Sequence, residues 1–120
     1  MPKYLTFNTS SELLRIPTDS LVFVRADGNY SDIVVADQHA YTLTMQLGEI
    51  ENVIQKADVD GTSSFMRIGR SLIVNVDFIT HVNLSKQRIV LSDCRNFYYE
   101  LSASKESLRK LKEVLNVIHL

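Results

Sequence analysis

The spacing of hydrophobic and polar positions changes as the chain proceeds. In the first third, short segments rich in β-branched and aromatic residues recur, each closed by turn formers: YLTF, ELLRI, SLVFVRA, YSDIVVA and AYTLT. This pattern predicts strands. Between SLVFV and DIVVA stands Asp27-Gly28-Asn29, a sequence that tolerates positive φ and reverses the chain, so residues 20–36 are expected to form a hairpin. From Met45 to Lys56 the period lengthens, with Leu47, Ile50 and Ile54 three or four apart, which predicts one short amphipathic helix capped by Thr44. After ADVDGTSS the strand pattern returns in FMRI, SLIVNV, FITHVNL, RIVLS and FYYEL, joined by short polar links such as Ser85-Lys86-Gln87. The last segment, SASKESLRKLKEVLNVIHL, reads as a helix. Leu108, Leu111, Leu115 and Ile118 form its apolar stripe, Ser102 or Ser104 its N-cap, and Lys105, Arg109, Lys112 and Glu113 its opposite face.

Strands and helices do not alternate one for one, which argues against a doubly wound parallel sheet. The expected fold is mainly β: small antiparallel sheets of short strands with one short middle helix and one C-terminal helix. Residues 1–120 are expected to form one domain, since a chain of this length buries roughly two thirds of the surface its unfolded form exposes.

Composition narrows the picture by exclusion. Apolar residues make up 45% and charged residues 22%, an ordinary globular balance, and no window approaches the roughly eighteen apolar residues of a membrane span. The N-terminal sequence lacks a signal-like apolar core, and the single Cys94 has no internal disulfide partner, so a reducing cytoplasm is the expected compartment. Thirteen Lys and Arg against fourteen Asp and Glu leave a formal charge of −1, so no overall basic field points to nucleic acid. A small interface needs only a local concentration of cations, however, and Lys105–Lys112 is locally basic.

Candidate chemistry is sparse. His39, His81, His119 and Cys94 do not stand at the short spacings that put two metal ligands on one loop or helix face. Cys94 sits in SDCRNF without a nucleophile signature, and Gly28, Gly48, Gly61 and Gly69 are too dispersed for a phosphate loop. No enzyme, metal or cofactor is expected.

The most informative stretch is Phe65–Ile79, FMRIGRSLIVNVDFI, an apolar run interrupted by Arg67 and Arg70. In one continuous strand, residues three apart project to opposite faces, so both arginines cannot serve one surface. Gly69 offers the break, leaving FMRI and LIVNV as separate strands with Arg70 and Ser71 at their corner. A guanidinium held there suits a phosphate oxygen or the O6 and N7 edge of guanine. Equally, the two arginines suit internal ion pairs with Asp77, Asp60 or Glu100. Asn75 reads as a structural amide at a strand end, and Tyr98 and Tyr99, facing opposite ways, as one surface and one core residue.

The string F-x-R-I-x-R-S-L-I-V-N-V-x-x-I, carried by Phe65, Arg67, Ile68, Arg70, Ser71, Val74, Asn75 and Ile79, resembles the core motif of the LytTR family of bacterial DNA-binding domains. LVFVRADGNYSDIVV resembles that family's early hairpin, LTMQLGEIENVI its helix, and ELSASKESLRKLKEVL its closing Ser and basic helix start; together they cover residues 12–117. The resemblance implies a non-enzymatic, sequence-specific transcriptional regulator of the response-regulator type that reads successive major grooves of double-stranded DNA through loops. Carried over position by position, it implies contacts by Tyr30 with Asn29, by Arg70 with Gly69, and by Lys105 with Ser104. Arg67, Lys86 and Arg109 follow as phosphate contacts, which position a protein without carrying sequence.

Two positions depart from the family pattern. Gly69 stands where a His is usual, and Glu106 where a second cation is common. Most relatives also carry a receiver or a membrane segment, for which 120 residues leave no room, so the chain is expected to be a stand-alone regulator or an excerpt of a longer protein. Two copies on adjacent half-sites would raise affinity and site length, so repeated half-sites, a homodimer on DNA and a regulatory protein partner enter as expectations. The rival reading is a β-rich protein-interaction or ligand-binding module that kept the fold without DNA binding, motivated by the net charge, Gly69 and Glu106.

Overall fold

The structure is a computed structural model and describes residues 1–117; Ile118 of the expected stripe and His119 lie outside the described residues. The chain runs through β1 (Tyr4–Asn8), β2 (Leu13–Pro17), β3 (Leu21–Asp27), β4 (Tyr30–Val35), β5 (Ala40–Leu43), α1 (Leu47–Ala57), β6 (Phe65–Ile68), β7 (Leu72–Asn75), β8 (Ile79–Asn83), β9 (Arg88–Ser92), β10 (Tyr98–Ser102) and α2 (Lys105–Val117). The fold is mainly β, as expected. Three antiparallel sheets form: the β1–β2 hairpin, a central sheet ordered β5-β4-β3-β7-β6, and a small sheet ordered β10-β9-β8. Because β5 and β6 are opposite edges of the central sheet, α1, which links them, crosses one of its faces.

That central sheet is buried on both sides. On one face Val24, Ile33, Val35 and Ile73 pack with Leu5 and Phe7 of β1 and with Leu47, Ile50 and Ile54 of α1. On the other face Phe23, Val34, Ile68, Leu72 and Val74 pack with Ile89, Leu91 and Leu101 of the small sheet and with Leu108 and Leu111 of α2. Burial on two faces explains why SLVFV and SLIVNV read as near-continuous apolar runs rather than alternating ones. A bulge between Leu21 and Phe23 turns both Val22 and Phe23 toward the second core. Leu108 and Leu111 are fully buried, and about 1.5–3 kcal/mol for each such side chain is what docks α2 over the sheets.

One boundary differs from the sequence expectation. α1 is capped by Gln46, not Thr44, and begins at Leu47, with the Glu49 carboxylate accepting from the Gln46 N–H at 3.3 Å. The reason lies in Met45, whose side chain is buried and whose carbonyl accepts from the buried Ser31 hydroxyl at 2.7 Å, holding the chain extended for another turn. Asn75 behaves as expected. Its amide donates to the Leu21 carbonyl at 2.9 Å and its oxygen accepts from the Asp77 N–H and the Ser64 hydroxyl, stitching β7 to the neighbouring segments. Tyr98 is exposed, while Tyr99 packs edge-on to Phe23 and beside Phe97.

Candidate nucleic-acid interface

The break at Gly69 is a three-residue hairpin turn, Gly69-Arg70-Ser71, closed by the Ile68–Leu72 pair. Gly69 has φ of +64°, a region that side chains with a Cβ enter only at a cost, so glycine is what lets β6 reverse there. A Cβ at this position would meet nothing nearer than the Ser107 hydroxyl at 3.9 Å, so backbone angle and not space selects glycine. Arg70 projects from the tip and is exposed, with no ion pair among the described residues.

Arg67 is engaged quite differently. Strand alternation sends Met66 and Ile68 to the second core and Phe65 and Arg67 to the α1 side of the sheet. There the Arg67 guanidinium donates from Nε to the Gly69 carbonyl (3.1 Å), from one terminal nitrogen to the Arg70 carbonyl (3.0 Å) and from the other to Glu51 of α1 (3.1 Å). All three of its nitrogens thus have an acceptor. Among the described residues none of the internal partners expected from sequence pairs with either arginine: Asp60 accepts from the Met1 amino group, Asp77 sits inside a short 3-10 turn that Asn75 caps, and Glu100 lies 3.8 Å from Arg88. Glu51 takes their place because α1 crosses the sheet directly over β6 and β7.

Two further segments meet the Gly69–Ser71 turn. The β8–β9 connection, Leu84–Gln87, is a four-residue turn ordered by Asn83, whose side-chain oxygen accepts from the Lys86 N–H and the Ser85 hydroxyl. Its Gln87 carbonyl accepts from the Ala103 N–H at 3.2 Å, which ties the turn to the start of α2. Of the two expected caps, Ser104 is the one used. Its hydroxyl accepts from the Ser107 N–H at 3.1 Å and its carbonyl from the Leu108 N–H at 3.0 Å. Ser102 instead accepts from Arg88 at 2.9 Å.

These three segments line one open groove of about 480 Å³, in which Arg70, Lys86 and Arg88 face the hydroxyls of Ser71, Ser102, Ser104 and Ser107. Among the described residues no carboxylate lines it. Lys105 is the first residue of α2 and is exposed beside the groove, whereas Arg109 lies one turn further along, in a separate hollow with Leu84 and Lys112.

The fourth segment is the β3–β4 turn. Gly28, at φ +63°, is followed by Asn29 at ordinary φ, the pattern of a type II′ hairpin closed by the Asp27–Tyr30 pair. It stands at the same end of the central sheet as Arg70, because β3 and β7 are antiparallel neighbours and the Ala26 N–H donates to the Ser71 carbonyl at 2.8 Å. Tyr30 is half exposed and alternates with the inward Ser31 and Ile33, so it belongs to the sheet face that also carries α2. Asn29 accepts weakly from Gln46 at 3.4 Å.

Two cations escaped the sequence reading. Arg88 lines the groove, and Arg25 stands opposite Leu72 on the same sheet face, 5.3 Å from the Phe23 ring. For Arg88 a signal existed, since it follows Lys86 by two residues at a hairpin link. For Arg25 none did, because its position relative to Arg70 depends on pairing between distant strands.

The far end of the molecule is built otherwise. Cys94 is exposed at φ +62° in the β9–β10 loop, which Asp93 organises by accepting from the Arg95, Asn96 and Phe97 N–H groups. Partial burial works against the Asp93 charge, but those N–H donors outweigh it and hold the carboxyl at about 2. Gln38 of the β4–β5 turn donates to the Asn96 carbonyl and joins the two loops. Among the described residues no three His, Cys, Asp or Glu side chains gather as metal ligands, and no helix is long and apolar enough to cross a membrane.

Comparison with known proteins accounts for nearly the whole length of the chain. The family model for the LytTr DNA-binding domain matches residues 11–116. A solved LytTr DNA-binding domain from a Bacillus cereus protein is similar in structure, with a TM-score of 0.63 at 20% identity, over 96% of this chain and 98% of that one. No curated protein matches the sequence. With nearly its whole length accounted for by that family model, the chain belongs to the LytTR family of DNA-binding domains.

Proposed function

We propose that the domain is a sequence-specific transcriptional regulator that binds double-stranded DNA through its turns, with Arg70 as the principal reader of a base edge. The observation that carries this reading is the groove shared by the Gly69–Ser71 turn, the Lys86–Arg88 segment and the α2 N-terminus, whose lining among the described residues holds three cations and no carboxylate, Glu100 standing 3.8 Å from Arg88 at its edge. Arg70 is the one arginine of the FMRIGRS motif whose guanidinium is left for an outside partner, and its fork of donors fits guanine O6 and N7. Lys105 with Ser104 on one side, and Tyr30 with Asn29 on the other, flank that reader and supply contacts to neighbouring grooves. Lys86 and Arg109 meet phosphates, where charge matters and side-chain identity does not. Gly69, in place of a bulkier residue, leaves the backbone of the turn free to approach the duplex. Two copies on adjacent half-sites would bind cooperatively, which extends a short footprint to a site of useful length.

Selection from a pool of randomised duplexes tests this directly. The wild-type domain should enrich one motif, and Arg70→Ala should lose about 1–3 kcal/mol of specific binding while relaxing selectivity at a single base position. An Arg70→Ala profile identical to wild type would remove Arg70 as the reader.

A further inference from the structure

We infer that Arg67 and Glu51 are positioning residues for Arg70: together they form a clip that fixes the Gly69–Ser71 turn, and neither touches DNA. The DNA-dependent part of this inference rests on Arg70 being the reader. Three geometric facts carry it. The Arg67 guanidinium donates to the carbonyls of Gly69 and Arg70, the two residues that set the direction of the turn tip, at 3.1 and 3.0 Å. Its remaining terminal nitrogen donates to Glu51 at 3.1 Å, and the pair is about two-thirds buried, with 30% and 33% of the side chains exposed. Finally, strand alternation sends Arg67 with Phe65 toward the α1 side, and Arg67 does not line the groove, although from its edge strand it borders the adjoining hollow with Ser104 and Glu106.

Gly69 and Arg70 are exposed, so water could satisfy their carbonyls; what the Arg67 donors add is a fixed direction for the turn. One planar fork anchored in a helix supplies two such donors at fixed separation, which a lysine cannot reproduce. Ordering the turn before DNA arrives lowers the entropy lost on binding, so the clip's contribution appears as affinity and selectivity without any direct contact. Glu51, 16 residues before Arg67 in sequence, is thereby coupled to the reader through a helix on the opposite face.

The clip and a simple charge effect predict opposite signs. Glu51→Ala removes a negative charge, which by itself favours binding to a polyanion; the clip predicts weaker specific binding instead, by about three- to tenfold, as expected when about one long side chain must be immobilised anew on binding. The probe is the duplex enriched by the wild-type domain, titrated at several salt concentrations. Arg67→Lys should reproduce the loss with the wild-type salt slope, whereas a phosphate-contacting Arg67 would be replaced by Lys at little cost. In an Arg70→Ala background, Glu51→Ala should have no further effect on specific binding. In the free protein, the backbone order parameter of Arg70 should fall from the rigid value of about 0.85 toward 0.6 in either variant. An unchanged order parameter, or Glu51→Ala binding as tightly as wild type or tighter, would overturn the clip. The free-protein measurement judges the clip even if Arg70→Ala shows that the reader lies elsewhere.

Discussion

At residue scale the two arginines of FMRIGRS have been separated by geometry: one is consumed by the protein and one is offered outward. In the first turn of α2, Lys105 opposes the helix dipole by about 0.3–1 kcal/mol and Glu106 beside it favours the dipole by a similar amount. Gly69 invites a direct test. Gly69→Ala should destabilise the fold by about 1–2 kcal/mol, read as a lower denaturant midpoint at unchanged slope, because φ of +64° disfavours any Cβ. The same variant at Gly48, which has ordinary φ inside α1, should stabilise by up to about 1 kcal/mol, so equal effects at the two positions would contradict the backbone argument. The corner at Arg70 was legible because strand period and glycine are both local signals. Its clip was not, since Glu51 is brought to Arg67 only by the crossing of α1.

At the scale of elements, strands and helices were readable from period alone, and the errors fall where a tertiary contact overrides a local preference. Met45 is pulled into the core and shifts the α1 cap from Thr44 to Gln46, while the bulge in β3 leaves no mark in an unbroken apolar run. The β9–β10 loop depends on a single carboxylate. With the Asp93 carboxyl at about 2 in the folded loop against an ordinary 3.8, the loop gains stability that is complete above about pH 4 and lost as pH falls through 2. Amide exchange at Asn96 and Phe97 should therefore rise, relative to intrinsic rates, below about pH 3, and Asp93→Ala should show that loss already at neutral pH. The α2 cap makes a parallel case: Ser104→Ala should cost about 1 kcal/mol, by fraying the helix start that lines the groove.

Over the whole molecule, the turns and loops sort to two ends. The turns at Gly28, Arg70 and Lys86 and the start of α2 gather at one end, while Gln38, Cys94 and Asn96 cluster at the other, roughly 20 Å away along the six residues of β4. A net charge of −1 is compatible with a DNA partner because three cations line the groove and no acid does among the described residues. Lys86→Ala should then weaken all duplexes alike and lower the salt slope by about 1, as judged by titration of specific and unrelated sequences. None of this sorting was visible in composition, which averages the two ends.

The most direct measurement of the central claim is residue-by-residue mapping of the amide signals of the labelled domain as the enriched duplex is added. The shared groove predicts perturbation at Asn29–Tyr30, Gly69–Ser71, Lys86–Arg88 and Ser104–Lys105, with Gln38 and Cys94–Asn96 unmoved. Perturbation centred on the Gln38–Asn96 end, with the Gly69–Ser71 turn silent, would contradict it.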